Sequence, residues 1–310
     1  MRDPRRVAMS CGVSVALTVG VLSLAGPSVA GAAPTPDPVA ATSRSGPSPA
    51  QPAGYTVVYS TTFDNPIGGL DFGSVNCPAG TVVWSGGVLT FEGLGQVGQN
   101  VNSSWPSNAT TWSAWVTNTG GTDETFNVYA VCADQPQRYA IATSAILTVS
   151  PSSVDGTAAT CAKGTVVLGG GALSSQPAPG SSLDLNLNDS FPTLVGVKSK
   201  TSAWEAASNN GQSVSSTLEV LAVCAKKPKK YSIQIGTAVD NRSDTATRAD
   251  SPPCPVGVVI GGGLSSDASV FADLASTIPD PDNYWTSIED NYAFFSVGAN
   301  PIVPYGICAE

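Results

Sequence analysis

The side chains available for chemistry are carboxylates, aromatic rings and a few lysines, because the chain contains no histidine. That absence removes Ser-His-Asp and Cys-His nucleophilic catalysis, zinc hydrolases with histidine ligands and imidazole proton shuttling. What remains for an enzyme is a carboxylate pair of the glycoside-hydrolase kind, one acid of raised pKa facing one ionised partner across a cleft. The glutamates are Glu92, Glu124, Glu205, Glu219, Glu289 and Glu310. The last third of the chain concentrates aspartates, at Asp267, Asp273, Asp280, Asp282 and Asp290, in Pro- and Asn-containing segments that read as solvated turns. Turns do not supply the burial that raises a carboxylate pKa, so these residues are expected to be solvated and the protein non-enzymatic. Asp280-Pro-Asp282-Asn283 lacks the Asp-x-Asp-x-Asp-Gly spacing of a calcium loop. The glycine runs at 85–87, 169–171 and 261–263 lack the Lys-Ser/Thr and helix of a phosphate-binding loop. No cofactor or metal is expected.

Surface binding is the chemistry left. The phrases Ser104-Trp105-Pro106, Ser190-Phe191-Pro192 and Thr277-Ile278-Pro279 recur, each followed by a tryptophan that opens the next strand: Trp112, Trp204 and Trp285. A tryptophan present in every copy reads as core. Trp105 is replaced by Phe191 and Ile278 in the other copies, so the fold does not require it. With Asn102 and Asn108 nearby, it is the candidate for stacking on a sugar face with amide hydrogen bonds. Lys226, Lys227, Lys229 and Lys230, around Pro228, form the one basic cluster outside the leader. They are the candidates for an anionic wall polymer, against a plainer role as a solvated loop.

These residues are positioned by a unit written three times. Cys77-Pro-Ala-Gly-Thr-Val-Val-Trp-Ser-Gly-Gly, Cys161-Ala-Lys-Gly-Thr-Val-Val-Leu-Gly-Gly-Gly and Cys254-Pro-Val-Gly-Val-Val-Ile-Gly-Gly-Gly open the copies. Val128-Tyr-Ala-Val-Cys-Ala133, Val220-Leu-Ala-Val-Cys-Ala225 and Pro304-Tyr-Gly-Ile-Cys-Ala309 close them. Short β-branched runs between Gly, Asn, Ser, Asp and Pro clusters, with no sustained period near 3.6, make the class all-β. In the first copy strands are expected near 55–61, 81–91, 99–104, 111–117, 125–132 and 138–144. The segments after 117 and 132, and Ser208-Asn-Asn-Gly-Gln and Lys226–Lys230 in the second copy, read as hairpin loops. Three antiparallel units about a pseudo-threefold axis follow, a β-prism or short propeller. The first strand, 55–61, is expected to pair with the strand ending at Cys308 and so close the ring.

The chain begins Met-Arg-Asp-Pro-Arg-Arg, runs into an apolar stretch and reaches small-x-small sites near residue 30, which reads as a secretory signal peptide over 1–32. An uncleaved anchor is the alternative. Residues 33–54, rich in Pro, Ala, Ser and Thr, read as a disordered linker. Residues 55–310 form a single domain of three units, about 77–144, 161–236 and 254–310 plus the strand 55–61. With Cys11 removed in the leader, six cysteines remain, and of fifteen possible pairings the repeat selects Cys77–Cys132, Cys161–Cys224 and Cys254–Cys308. A formal charge of −9, from 14 Lys+Arg against 23 Asp+Glu, argues against nucleic acid or anionic lipid as partner.

The Cys-Pro-x-Gly-Thr-Val-Val-x-Gly-Gly-Gly and Tyr-Ala-Val-Cys-Ala phrases, spanning 55–310, resemble those of uncharacterised secreted actinobacterial proteins. The paired-cysteine threefold layout is similar in plan to the vitelline membrane outer layer β-prism proteins, without matching their motifs. Neither resemblance carries a catalytic residue. The expectation is a secreted binding protein for carbohydrate or wall polymer, at the cell surface or in the medium. A structural or protein-interaction module is the alternative, and a carboxylate-dependent glycan hydrolase the third reading.

Overall fold

The computed structural model describes residues 50–91, 97–175, 183–195, 201–266, 271–292 and 300–310. The expected signal peptide, and the linker up to residue 49, lie outside them. Each copy contributes seven strands. The first holds β1 (Thr56–Tyr59), β2 (Phe63–Asn65), β3 (Leu70–Asn76), β4 (Thr81–Thr90), β5 (Gln99–Asn108), β6 (Thr111–Asn118) and β7 (Glu124–Asp134). The second holds β8 (Ala140–Thr143), β9 (Leu147–Val149), β10 (Ser153–Thr160), β11 (Val166–Ser174), β12 (Leu185–Val195), β13 (Thr201–Asn210) and β14 (Ser216–Ala225). The third holds β15 (Ser232–Ile235), β16 (Val239–Asn241), β17 (Thr245–Asp250), β18 (Val258–Ser266), β19 (Ala272–Asp280), β20 (Tyr284–Asn291) and β21 (Asn300–Ala309). The expected all-β class holds, with three antiparallel sheets of seven strands.

No sheet belongs to one copy. Each copy gives four strands to one sheet and three to the next. The first sheet runs β1-β7-β4-β19-β20-β17 with β2 beside β7. The second runs β3-β6-β5-β11-β14-β8 with β9 beside β14, and the third β10-β13-β12-β18-β21-β15 with β16 beside β21. The third copy thereby completes the sheet begun by the first. At the centre of each sheet one residue pair bridges two copies: Val88 with Thr277, Ala172 with Ser104, and Leu264 with Ser190.

The repeated glycines explain how backbones meet there. A Cβ on Gly87, Gly171 or Gly263 would stand 1.8, 1.9 or 1.9 Å from the carbonyl oxygen of Thr277, Ser104 or Ser190. One residue earlier, a Cβ on Gly86, Gly170 or Gly262 would lie 2.3, 2.4 or 2.2 Å from the indole of Trp112, Trp204 or Trp285. The first glycine of each pair admits the ring and the second admits the neighbouring copy's main chain. The three tryptophans are buried, as expected of core, and their Nε1–H groups donate to Ser104 Oγ (2.9 Å), Ser190 Oγ (2.8 Å) and Thr277 Oγ1 (2.7 Å). No buried indole donor is wasted.

The disulfides are Cys77–Cys132, Cys161–Cys224 and Cys254–Cys308, with Cα atoms 5.6 to 5.7 Å apart, as the repeat requires. Each ties the last strand of a copy to the point where that copy's chain crosses from one sheet to the next. Each closes a loop of 54 to 63 residues, for which the chain-entropy account gives about 4 kcal/mol.

Two expectations are corrected. The first strand does not pair with the strand ending at Cys308: Thr56 stands opposite Cys132, in the sheet of its own copy, and Ser232 of β15 stands opposite Cys308. The repeat therefore starts at Tyr55, Tyr139 and Tyr231, with the first strand in the first copy rather than the third. The cause lies in the segments read as hairpin loops, since β6 to β7, β7 to β8, β13 to β14 and β14 to β15 each pass between different sheets. The first strand still reaches the third copy through its tyrosine, whose hydroxyl donates to Val259 O at 2.8 Å. Tyr139 does the same to Val83 O (2.9 Å) and Tyr231 to Val167 O (2.7 Å), so three equivalent staples run round the ring.

The seam gives a direct test. Gly87→Ala should cost more than about 3 kcal/mol or prevent folding, because the obstructing atom is main chain rather than a movable side chain. Gly121, where an added Cβ meets nothing within 4 Å, should accept alanine within about 1 kcal/mol. Urea unfolding of both variants measures the difference.

Candidate functional site

The outward face of β3, β5 and β6 carries three aromatic rings. Phe72 stands opposite Trp115 in register, and Trp105 lies beside them on the adjacent strand, opposite Ser113. The Phe72 ring centroid is 5.1 Å from that of Trp115 and 6.4 Å from that of Trp105, both pairs tilted by just over 50°. Phe72 is 45% exposed and the tryptophans are half-buried. Strand alternation puts Ser74, Asn76, Thr111 and Ser113 on the same face, where Thr111 Oγ1 donates to Asn76 Oδ1 (2.6 Å) and Ser113 Oγ to Ser107 Oγ (2.9 Å). A hydroxyl and amide border thus adjoins an apolar patch.

This patch exists once. The residues equivalent to Phe72 and Trp115 are Gly156 and Ala207 in the second copy, and Arg248 and Ile288 in the third. Three aromatic side chains are gathered on one face, and of these only Trp105 has an aromatic counterpart, Phe191 in the second copy. Of the two asparagines paired with Trp105 in the sequence reading, Asn108 is exposed and uses Oδ1 to accept from Thr110 N (2.9 Å) and Oγ1 (3.0 Å), shaping the β5–β6 turn. Asn102 is not on this face. It sits at the bulge between Val101 and Ser103, is fully buried, and donates to Leu185 O at 2.6 Å. Strand alternation already sets Asn102, three residues from Trp105, on the other face.

The lysines stand on another face. Lys226 Nζ donates to Gln137 Oε1 (3.1 Å), Lys229 O accepts from Glu310 N (2.8 Å), and Lys230 has a left-handed φ of 53°. Lys227 Nζ lies 5.6 Å from the Tyr231 ring centroid, at the edge of a groove of about 690 Å³ walled by Phe191, Tyr231, Ile233 and Tyr305. The segment is a sheet-to-sheet crossing with local structural partners. Nothing brings it together with Trp105.

A third place was missed in the sequence. At one end of the axis a ring of polar side chains joins successive copies: Thr117 Oγ1 donates to Asn186 Oδ1 (2.7 Å), and Asn209 Nδ2 to Asp273 Oδ1 (3.0 Å). Asp290 Oδ2 accepts from the Tyr292 hydroxyl (3.3 Å), which in turn accepts from Asn100 Nδ2. Asn186 Nδ2 also donates to Asp273 Oδ2 (3.0 Å), so both carboxyl oxygens of Asp273 are held. Asp273 and Asp290 are buried in strands, which corrects their reading as turn residues, and Glu289 is buried in the same strand as Asp290. Asp282 does occupy a turn, and Asp280 ends β19 beside it, accepting from Asp282 N (2.8 Å) and facing Arg248 at 3.4 Å. Glu92 and Asp267 lie outside the described residues.

Burial pushes Asp273 up to about 7, against the opposing hydrogen bonds from Asn209 and Asn186. It raises Glu289 to about 8, with Asn241 Nδ2 on its Oε2 at 2.7 Å. Asp189 is raised to about 7 by burial and by Glu205; the residue is half-buried, but its Oδ1 is sealed from solvent. The signal that would have found this ring is the dipeptide five residues after each repeated tryptophan, Thr117-Asn118, Asn209-Asn210 and Asp290-Asn291. Its phase with a core tryptophan marks it as strand. Its composition alone suggests a turn.

No protein-family model matches the chain, and no curated protein is similar to it. Among the described residues no helix is long and apolar enough to cross a membrane, and no group of three or more Cys, Asp or Glu side chains is placed to hold a metal ion.

The buried carboxylates fix the sign of the pH dependence. Their folded pKa values lie above the unfolded values near 4, so the native state binds more protons and stability falls as pH rises from about 4 through 8. Thermal melts should give a higher Tm near pH 5 than near pH 8.5, and the difference should shrink in Asp273→Asn/Glu289→Gln.

Proposed function

We propose that this protein is a secreted, non-enzymatic glycan-binding module that lays its aromatic face against a polysaccharide at the cell surface or in the surrounding medium. The observation that carries this reading is the Phe72–Trp105–Trp115 patch, bordered by hydroxyls and amides and present in one of three otherwise equivalent positions. Sugar rings offer an apolar C–H face and an equatorial rim of hydroxyls, and a tilted aromatic patch with a polar border matches both. Symmetry supports the assignment, because a residue that serves only the fold is needed in every copy. Three disulfides and an export-type leader suit an oxidising, extracellular setting. The net charge of −9 favours a neutral polymer over an anionic one. The lysine segment therefore drops behind the aromatic face as the ligand site.

Pull-down of the oxidised chain, residues 33–310, on insoluble cellulose, chitin, xylan and bacterial wall polysaccharide tests the reading. Binding to at least one neutral polymer is expected. Trp105→Ala and Trp115→Ala should each weaken it at least tenfold while costing about 1 kcal/mol of stability, since both rings are only partly buried. Trp112→Ala, by contrast, should cost about 3 to 5 kcal/mol. Retention of full binding by both outer-face variants would remove the aromatic face from consideration.

A further inference from the structure

The polar ring at the end of the axis opens into a cavity of about 470 Å³, lined among others by Thr119, Asn186, Asn209, Phe271, Asp273 and Tyr292. All three copies contribute to it. We propose that this cavity is a second ligand site, taking a single neutral sugar residue, with Asp273 as the hydroxyl acceptor, Asn186 and Asn209 as its amide partners and Phe271 as the stacking wall.

The groups present are those that recognise a polyol in a small volume. A carboxylate accepts from about four directions, and the two amide bonds at 3.0 Å occupy one on each oxygen of Asp273. Those bonds also fix its orientation before any ligand arrives, which lowers the ordering cost of binding. Phe271 is 48% exposed, an apolar ring beside polar walls. Gly211 contributes wall without a side chain, where a Cβ would stand 2.7 Å from Asp184 Cβ. The volume is that of a small-molecule site.

Charge narrows the class. Among the described residues the cavity lining holds Asp184 and Asp273 and neither Lys nor Arg, so uronic acids, sialic acids and sugar phosphates are disfavoured by like charge. The pocket is also singular for a structural reason. The positions equivalent to Asp273 are Asn100 and Asn186, and the three converge on one axis, so a threefold frame supplies one such pocket, with Asp273 the one carboxylate among the three equivalent positions. This site is separate from the aromatic face and does not depend on it.

Titration by NMR of the uniformly labelled chain with glucose, galactose, mannose, fucose, N-acetylglucosamine and N-acetylgalactosamine, each up to about 50 mM, tests the proposal at the millimolar affinities usual for one sugar. At least one sugar should shift amides at 209–211 and 271–273, with Trp105→Ala binding it unchanged. Asp273→Asn should weaken binding at least tenfold. If that variant does not fold, Phe271→Ala, which removes an exposed ring, serves instead, with a loss of about fivefold or more. Affinity should rise from about pH 5 to about pH 8 as Asp273 ionises, in the presence of Asp184, Glu289, Asp290 and Tyr292 as neighbouring titratable groups. No shift from any of the six sugars, or shifts confined to the aromatic face, would each overturn the proposal. Loss of polymer binding in Trp105→Ala with monosaccharide binding intact would separate this site from the first.

Discussion

Main chains of neighbouring copies approach so closely at Gly87, Gly171 and Gly263 that no side chain fits between them. That contact lets a strand of one copy join the sheet of the next, and the rest of the molecule follows from the exchange. Because each copy gives four strands to one sheet and three to another, no copy can bury its apolar face alone. Closing the ring between the third copy and the first is then the means by which every copy obtains a full sheet. The tyrosine staples, the tryptophans over Gly86, Gly170 and Gly262, and the disulfides at the crossings all reinforce that one arrangement. An N-terminal strand added to the far end would close nothing that the exchange has not already closed.

The proposed binding sites lie where the threefold rule is broken. The frame demands a buried tryptophan, a glycine pair, a tyrosine and a cystine in each copy, and those residues report only on the fold. Phe72, Trp105 and Trp115 answer no such demand, nor does the carboxylate of Asp273 where the other copies carry amides. The first departure makes a broad apolar surface with a polar border, suited to a chain of sugar rings. The second makes a small preorganised pocket on the axis. Both support the proposed binding of neutral glycans, one through stacking and the other through acceptor geometry.

Much of the fold was legible in the sequence because its strongest signals are periodic. Three recurrences of Cys-x-x-Gly and of Val/Ile-Cys-Ala gave the copy number, the disulfides and the β class, and the recurring tryptophan gave the core. Strand pairing was not legible, since a short polar segment such as 133–137 looks the same whether it folds back as a hairpin or crosses to another sheet. β2 and β3 were missed for a related reason: Phe63–Asn65 is too short, and Leu70–Asn76 too polar and glycine-containing, to stand out from loop. Trp105 was recognised by its variation between copies, but Phe72 and Trp115 were not, because their meeting depends on the register of β3 against β6. Asp273 and Asp290 were misplaced because proline and asparagine neighbours mimic a turn, whereas in this fold asparagine serves as a buried amide in a ring of hydrogen bonds.

The exchange of strands between the third copy and the first carries every later conclusion, and one residue pair reports it. Val88 and Thr277 face each other across that seam, and solution NMR of the oxidised chain should show main-chain nuclear Overhauser contacts between them, together with contacts from the Trp112 ring to Gly86. Absence of the Val88–Thr277 contact in a folded chain whose β19 and β20 still pair with each other would mean that the copies stand as serial domains, and would contradict the strand-exchanged ring.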